Sequence, residues 1–107
     1  MASPATRRER IPHPPTSAID LATVMRTLGE PVRLEIAQLL ADGRPRVCSE
    51  IAEAVGIPAS TGSYHLRLLR EAGITRTRAE GVHRLISLRR DDLEERFPGL
   101  VDVLARG

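Results

Sequence analysis

Apolar residues recur at helical spacing along most of the chain after residue 17. The first such segment covers residues 18–28 and the second covers residues 31–40, where Asp42 and Gly43 stop it. Pro31 is well placed to open the second helix, since proline suits the first helical position. The first segment has more apolar positions than one packed face needs, so we expect it to have a second apolar partner.

Residues 47–73 predict two short helices joined by a turn that a glycine marks. In the first helix, Ile51, Ala52 and Val55 lie on one face. Ser49 is its expected N-cap, because a serine hydroxyl accepts a hydrogen bond from a free backbone N–H. Gly56 then ends the helix in a left-handed conformation. With a second helix over residues 59–72, this segment predicts a helix-turn-helix.

The second helix of this motif divides into an apolar and a polar face. The apolar face carries Leu66 and Leu69, and Gly62 and His65 lie next to them on the same side of the helix. The opposite face carries hydroxyls, one aromatic ring and an arginine, which can reach base edges and phosphates in a DNA major groove. Its candidate DNA contacts are Ser60, Thr61, Ser63, Tyr64 and Arg67. The alternative is an ordinary amphipathic helix with a solvated polar face.

Two β-capable runs follow, over residues 74–78 and 82–88, and predict a hairpin around the loop of residues 79–81. Arg78, His83 and Arg84 stand outward on this hairpin and are further candidates for contacts to phosphate or the minor groove. Residues 44–47, before the helix-turn-helix, are predicted to be a short extended link.

The tail predicts a last helix that pairs with the first helix as a dimer seam. Asp91 and Glu94 form a capping-box-like pair at its start. Pro98 and Gly99 interrupt it, since proline removes a backbone donor, so we expect a kink or two short helices. The seam is predicted to contain Ile19, Ala22, Met25, Leu93, Phe97, Val101 and Leu104.

The length of 107 residues suits a single domain with a modest core, over residues 18–107, which dimerisation would stabilise. Residues 1–17 contain four prolines and predict a flexible arm. Tyr64 and Phe97 are the only aromatic residues, which favours a mainly α (α+β) fold built on aliphatic side chains. Without a long apolar run or a signal-peptide pattern, we expect a soluble cytoplasmic protein.

The basic residues are all arginine, 16 in number, and they are unevenly distributed. Residues 59–90 hold seven arginines against two acidic residues, whereas residues 91–107 hold two arginines against five acidic residues. Arginine suits phosphate and guanine recognition. The positive charge coincides with the second helix of the motif and the hairpin, which favours nucleic-acid binding.

Catalytic and metal chemistry have little support in the sequence. Cys48 is the single cysteine, and a small, partly buried role is favoured for it over a redox or metal role. His13, His65 and His83 are too scattered to suggest a metal site. No nucleophile and base pair or glycine-rich phosphate loop is evident, so we expect no enzyme activity, cofactor or bound metal.

The runs LGEPVRLEIAQLL, SEIAEAVGIPASTGSYHLRLLREAGI and TRTRAEGVHRLISL resemble the ArsR-type winged helix-turn-helix transcriptional regulators of bacteria. The resemblance covers residues 19–88. It implies a homodimer built on the first and last helices, which reads an inverted repeat with the helix at residues 59–72 and touches flanking DNA with the hairpin wing. Pro58 and Gly62 depart from the family pattern, and Cys48 stands alone where metal-sensing members carry paired cysteines.

We therefore expect a dimeric, sequence-specific DNA-binding regulator, with a repressor favoured over an activator. Its operator, its target genes and any small-molecule effector stay open. The alternative hypothesis is a winged-helix protein-interaction module that does not bind DNA. Retention on heparin or duplex DNA that falls steeply with salt distinguishes the two.

Overall fold

The computed structural model describes residues 11–107. Over this range the chain forms six α-helices and a three-stranded sheet. The helices are α1 (Leu21–Leu28), α2 (Pro31–Leu40), α3 (Cys48–Val55), α4 (Ala59–Glu71), α5 (Arg90–Arg96) and α6 (Leu100–Arg106), and the strands are β1 (Arg46–Val47), β2 (Thr75–Glu80) and β3 (His83–Leu88). The predicted mainly α fold with a β-hairpin is confirmed. None of the helices in residues 11–107 has the length and apolar character to cross a membrane.

The first helix begins later than the sequence predicts. Residues Thr16–Ala18 form a separate 3-10 turn, and α1 starts at Leu21. Asp20 sets this start, because its carboxylate accepts a hydrogen bond from the Thr23 backbone N–H at 3.0 Å. Hydrogen bonds from Thr23 hold the pKa of Asp20 below its ordinary value, so this cap is fully charged at neutral pH.

Two predicted N-caps are wrong, because each helix begins earlier than expected. α3 begins at Cys48, so Ser49 lies inside its first turn. The Glu50 carboxylate instead accepts a hydrogen bond from the Val47 backbone N–H at 3.1 Å. α5 begins at Arg90, so Asp91 also lies in the first turn. A carboxylate at that position still suits the positive end of the helix dipole.

The sheet is antiparallel, with strand order β1-β3-β2. β1 lies within the predicted link and pairs Arg46 with Ile86. A strand of two residues is too short to show alternation in a sequence, which is why β1 was missed. The hairpin turn is also tighter than predicted, since Glu80 pairs with His83. Gly81, at φ +62°, supplies the left-handed residue that a two-residue turn of this kind needs.

The core lies between the helices and the inner face of the sheet. Its fully buried side chains include Ile19, Ile36, Leu40, Ile51, Leu69, Ile74 and Leu93. The interruption at Pro98 and Gly99 produces two short helices, as predicted. Of these, α6 packs against α2 and α5 packs against the 3-10 turn.

Burial corrects four of the residues assigned to the dimer seam. Ile19, Leu93, Val101 and Leu104 expose 1%, 0%, 6% and 4% of their surface, because they fill the core of their own chain. They have almost no area left for a partner to cover. Ala22 and Met25 are exposed and Phe97 is half-buried, so these three stay available.

The described part of the predicted arm, residues 11–17, is held along the free edge of β2. The Thr77 backbone N–H donates to Nε2 of His13 at 3.0 Å. The Pro14 carbonyl accepts from the Arg89 guanidinium at 2.8 Å. The segment lacks regular secondary structure apart from the 3-10 turn, yet it satisfies buried donors of the domain, which anchors it. Residues 1–10 of the predicted arm lie outside the described residues.

Candidate nucleic-acid interface

α4 turns its polar face to solvent, as its residue pattern predicts. The exposed side chains are Ser60, Thr61, Ser63, Tyr64 and Arg67. The buried residues on the opposite face are Gly62, His65, Leu66 and Leu69. All five residues predicted to enter a major groove therefore share one accessible surface.

Gly62 sets how closely the two helices of the helix-turn-helix approach. A Cβ at this position would lie 3.2 Å from Cβ of Ala52 on α3, so one of the two helices would have to shift by a few tenths of an ångström. Glycine in a helix costs about 1 kcal/mol relative to alanine, and here it allows tight packing instead. Pro58 occupies the N-cap of α4 without a side-chain hydrogen bond.

His65 fixes the underside of α4 to the corner between α1 and α2. Its Nδ1 lies 3.2 Å from Nη1 of Arg33. A guanidinium only donates, so Nδ1 accepts in this contact. Arg33 in turn donates through Nε to the Thr27 carbonyl at 2.8 Å. This chain of contacts joins α4 to α2 and to the end of α1.

The aromatic ring on α4 orients the neighbouring arginine. The guanidinium carbon of Arg67 lies 5.6 Å from the centroid of the Tyr64 ring, within the range of a cation–π contact. Tyr64 itself is half exposed. Arg67 is thus held on the surface without an acidic partner among the described residues.

The hairpin places its three predicted contacts on the surface, but they are not equivalent. Arg78, His83 and Arg84 are all exposed. Arg78 forms an ion pair with Glu80 at 2.9 Å, which neutralises part of its charge. Arg84 has no such acidic neighbour in the described range, and it lines one small cavity together with Arg67.

Two arginines of the basic segment serve the base of the hairpin instead. Arg89 is 5% exposed, and its Nε donates to Oδ2 of Asp92 at 2.9 Å. Arg76 donates to the same oxygen at 3.1 Å. Hydrogen bonds from Arg89 and Thr16 hold the pKa of Asp92 below its ordinary value. Both arginines pair with Asp92 at the junction of the hairpin with α5, where Arg89 is buried and Arg76 is exposed.

Metal ligands do not gather in the part of the chain that the structure describes: no group of three His, Cys, Asp or Glu residues there could hold an ion. Cys48 is a free, half-buried thiol. Its Sγ lies 3.8 Å from Oγ of Ser63 on α4. The thiol therefore lies just behind the exposed face of α4.

Some large apolar side chains are exposed on the helices. Leu21 and Met25, one turn apart on α1, expose 49% and 50% of their surface, and Val103 on α6 exposes 64%. The dimer seam predicted from the sequence does not include Leu21 or Val103. Periodicity shows that a helix has apolar residues on more than one side, but it does not show which side faces the core of its own chain.

Comparison with known proteins gives consistent results. A helix-turn-helix domain family matches residues 28–78. The HTH-type transcriptional regulator YceK of Bacillus subtilis is 36% identical over 84 residues, which cover 78% of this chain and 84% of YceK.

Solved structures share the fold. The homodimeric winged helix-turn-helix DNA-binding domain of Mb0332 from Mycobacterium bovis, a possible ArsR-family regulator, has a TM-score of 0.67 and 34% identity, covering 80% of this chain and 78% of that one. The transcriptional repressor BigR from Xylella fastidiosa has a TM-score of 0.65 and 31% identity, covering 80% and 83%. With a helix-turn-helix followed by an antiparallel hairpin, this chain belongs to the ArsR-type winged helix-turn-helix transcriptional regulators.

Proposed function

We propose that the protein is a homodimeric repressor that binds an inverted repeat in duplex DNA. The observation that carries this proposal is the exposed face of α4, where hydroxyls, Tyr64 and Arg67 lie beside Arg84 of the hairpin. The homodimeric state of the Mb0332 domain and the repressor activity named for BigR support the dimer and the direction of regulation.

In this proposal α4 enters the major groove. Arg67 donates two hydrogen bonds to a guanine edge, the pairing that a guanidinium fork suits best. Tyr64 limits the rotamers of Arg67 through their stacking contact, so less side-chain entropy is lost on binding. The hydroxyls of Ser60, Thr61 and Ser63 contact base edges or phosphates.

The hairpin serves as the wing and contacts DNA beside the groove. Arg84 donates to a backbone phosphate, and His83 lies next to it near the tip. Arg78 contributes less, because it keeps its ion pair with Glu80 in the free protein. Contacts of this kind position the protein on DNA and carry little sequence information.

The apolar surface of α1 and the C-terminal helices forms the dimer seam. It consists of Leu21, Ala22, Met25, Phe97 and Val103. The Arg96 guanidinium donates to the Ile19 carbonyl at 2.8 Å, which ties the end of α5 to the start of α1. The two sides of the seam are therefore held as one surface. A second copy that covers it removes apolar area from water and places the two α4 helices about 34 Å apart, one turn of B-DNA.

A regulator of this kind acts in the compartment that holds the DNA, so we place the protein in the cytoplasm. The central test is a fluorescence titration of the intact protein with duplexes selected from a genomic library, at several salt concentrations. We expect binding of one dimer per site and an affinity that falls steeply with salt. Indifference of the protein to every duplex would overturn the proposal.

The seam has its own test. Met25→Asp places a charge in the apolar surface, and sedimentation velocity is expected to show monomers. These monomers are expected to bind the selected duplex at least tenfold more weakly, which corresponds to a loss of roughly 1.4 kcal/mol. Glu35→Gln on the exposed side of α2 is the control and stays dimeric. A Met25→Asp variant that remains a dimer would contradict the assigned seam.

A further inference from the structure

A small cavity lies between α4 and the wing, behind the exposed face. Its volume is about 100 Å³. Leu66 of α4 and Ile86 of β3 contribute apolar lining, and Ser63 contributes a hydroxyl. Three arginines from two elements, Arg67 and Arg70 from α4 and Arg84 from β3, line it together with Cys48 and Thr77.

These three arginines lack a counter-ion within residues 11–107, since none of them is in an ion pair there. Three guanidinium groups that line one small cavity without a counter-ion in the described range indicate an anionic acceptor at this place.

The chemistry of the lining defines the class of anion. A guanidinium presents parallel N–H donors that match the oxygens of phosphate or carboxylate. The Ser63 hydroxyl adds a donor that can rotate toward the same group. Sites for larger organic molecules are usually about 300 to 1,000 Å³, so this cavity of about 100 Å³ matches the size of one small oxyanion or of one phosphate group.

We infer that this cavity binds one oxyanion of the phosphate class. The anion comes either from the DNA backbone or from free solution. A free anion held there engages Arg67 and Arg84, which also face the duplex, so it competes with DNA. The competition rests on the proposed function, whereas binding of the free anion does not.

The first experiment measures thermal unfolding of the intact protein in inorganic phosphate against chloride at matched pH and ionic strength. Phosphate also stabilises proteins non-specifically by exclusion from their surface, so the comparison between variants is the readout. Wild type and the control Arg106→Gln are expected to show a saturable rise in Tm. Arg70→Gln and Arg84→Gln are expected to lose the saturable part. Arg106 lies on α6, exposed and paired with Asp102, and does not line the cavity.

The second experiment measures binding of a selected duplex. For a free anion, replacing chloride with phosphate at matched ionic strength is expected to weaken duplex binding about threefold when phosphate is at about twice its Kd. Arg70→Gln is expected to lose this sensitivity. If the backbone of the DNA supplies the anion, free phosphate has no specific effect on the affinity for the duplex. Arg70→Gln then lowers the slope of log affinity against log salt by about one, which corresponds to the loss of one phosphate contact.

The outcomes separate the two proposals. A difference between Arg70→Gln and Arg106→Gln in either experiment supports the anion site and identifies its source. Identical behaviour of these variants in both experiments overturns it. If phosphate stabilises wild type saturably but no duplex binds, the proposed function fails and the anion site stands.

Discussion

The arginines at the exposed face of α4 and those at the base of the wing are chemically identical but have opposite surroundings. At the base, Arg89 is buried and Arg76 joins it on one carboxylate, that of Asp92. At the face, Arg67 and Arg84 are exposed and have no acidic neighbour among the described residues. Arg76 and Arg89 stabilise the fold, whereas Arg67 and Arg84 leave their charge available to a partner.

This difference shows what a count of charges leaves out. Residues 59–90 are strongly basic in sequence, and that excess predicts a DNA-binding surface in this segment. However, it includes Arg76 and Arg89, which share the single carboxylate of Asp92, and Arg78, which pairs with Glu80. The two exposed arginines that we propose for DNA contact, Arg67 and Arg84, lie in a narrower region on α4 and β3.

The largest effect on stability is expected from Arg89→Ala. It leaves the Asp92 carboxylate with fewer partners and removes the hydrogen bond to the Pro14 carbonyl. Arg76 and Thr16 still bind the carboxylate, so we expect the free energy of unfolding to fall by about 2 kcal/mol. Urea denaturation measures this loss, and Arg90→Ala, an exposed neighbour, is the control with a change within about 0.5 kcal/mol. Equal stability of the two variants would remove the structural role assigned to Arg89.

The opposite result is expected for Arg67→Ala. Its unfolding free energy stays near that of wild type, whereas its affinity for a selected duplex falls by about 1 to 3 kcal/mol, mainly at one base position. A fluorescence titration against the duplex and against single-base variants measures both quantities. Binding as tight as wild type would exclude Arg67 from the interface.

A smaller effect separates the two arginines of the wing. Arg84→Ala is expected to weaken binding to all duplexes alike and to lower the salt slope by about one. Arg78→Ala, which removes the same charge from a residue already paired with Glu80, is expected to change both quantities less. The reverse order would show that the ion pair opens on binding.

The smallest expected effect is a pH dependence at the arm. Burial, together with the charges of Arg89, Arg70 and Arg76, holds the pKa of His13 below 6.5. The unfolded chain therefore binds this proton at a higher pH than the folded one. The contribution of His13 is present above about pH 6.5 and is lost as pH falls through the lowered pKa.

Denaturant unfolding at about pH 7.5 and about pH 5.5 measures this contribution. Wild type is expected to lose more stability between the two pH values than His13→Gln, whose amide oxygen can still accept from the Thr77 N–H. His83→Gln, at an exposed position, is the control and behaves like wild type. A His13→Gln variant with the same pH dependence as wild type would contradict the assignment.

The sequence was sufficient for features that depend on local chemistry. Helical periodicity located α2 and α4, Gly56 ended α3 in a left-handed conformation at φ +72°, and the alternating faces of α4 separated buried from exposed residues. Each of these follows from the side chains within one element. The sequence therefore predicts, residue by residue, which side chains of α4 are exposed.

Features that depend on contacts between residues far apart in the chain cannot be predicted from the sequence pattern. Leu93 and Leu104 are apolar at helical spacing, but only the packing of α5 on the 3-10 turn and of α6 on α2 shows that they face their own core. The hydrogen bond from Thr77 to His13 joins residues far apart in sequence. The cavity between α4 and β3 likewise exists only because the hairpin folds back beside the helix.

An NMR titration of the isotopically labelled protein with a selected duplex distinguishes the two groups of arginines, since it reports on the backbone amides of both in one experiment. We expect large shifts from Ser60 to Arg67 and at His83 and Arg84, with little change at Arg76, Arg89 and Asp92. Shifts concentrated at the base of the wing, or absent from α4, would rule out α4 as the DNA-binding surface.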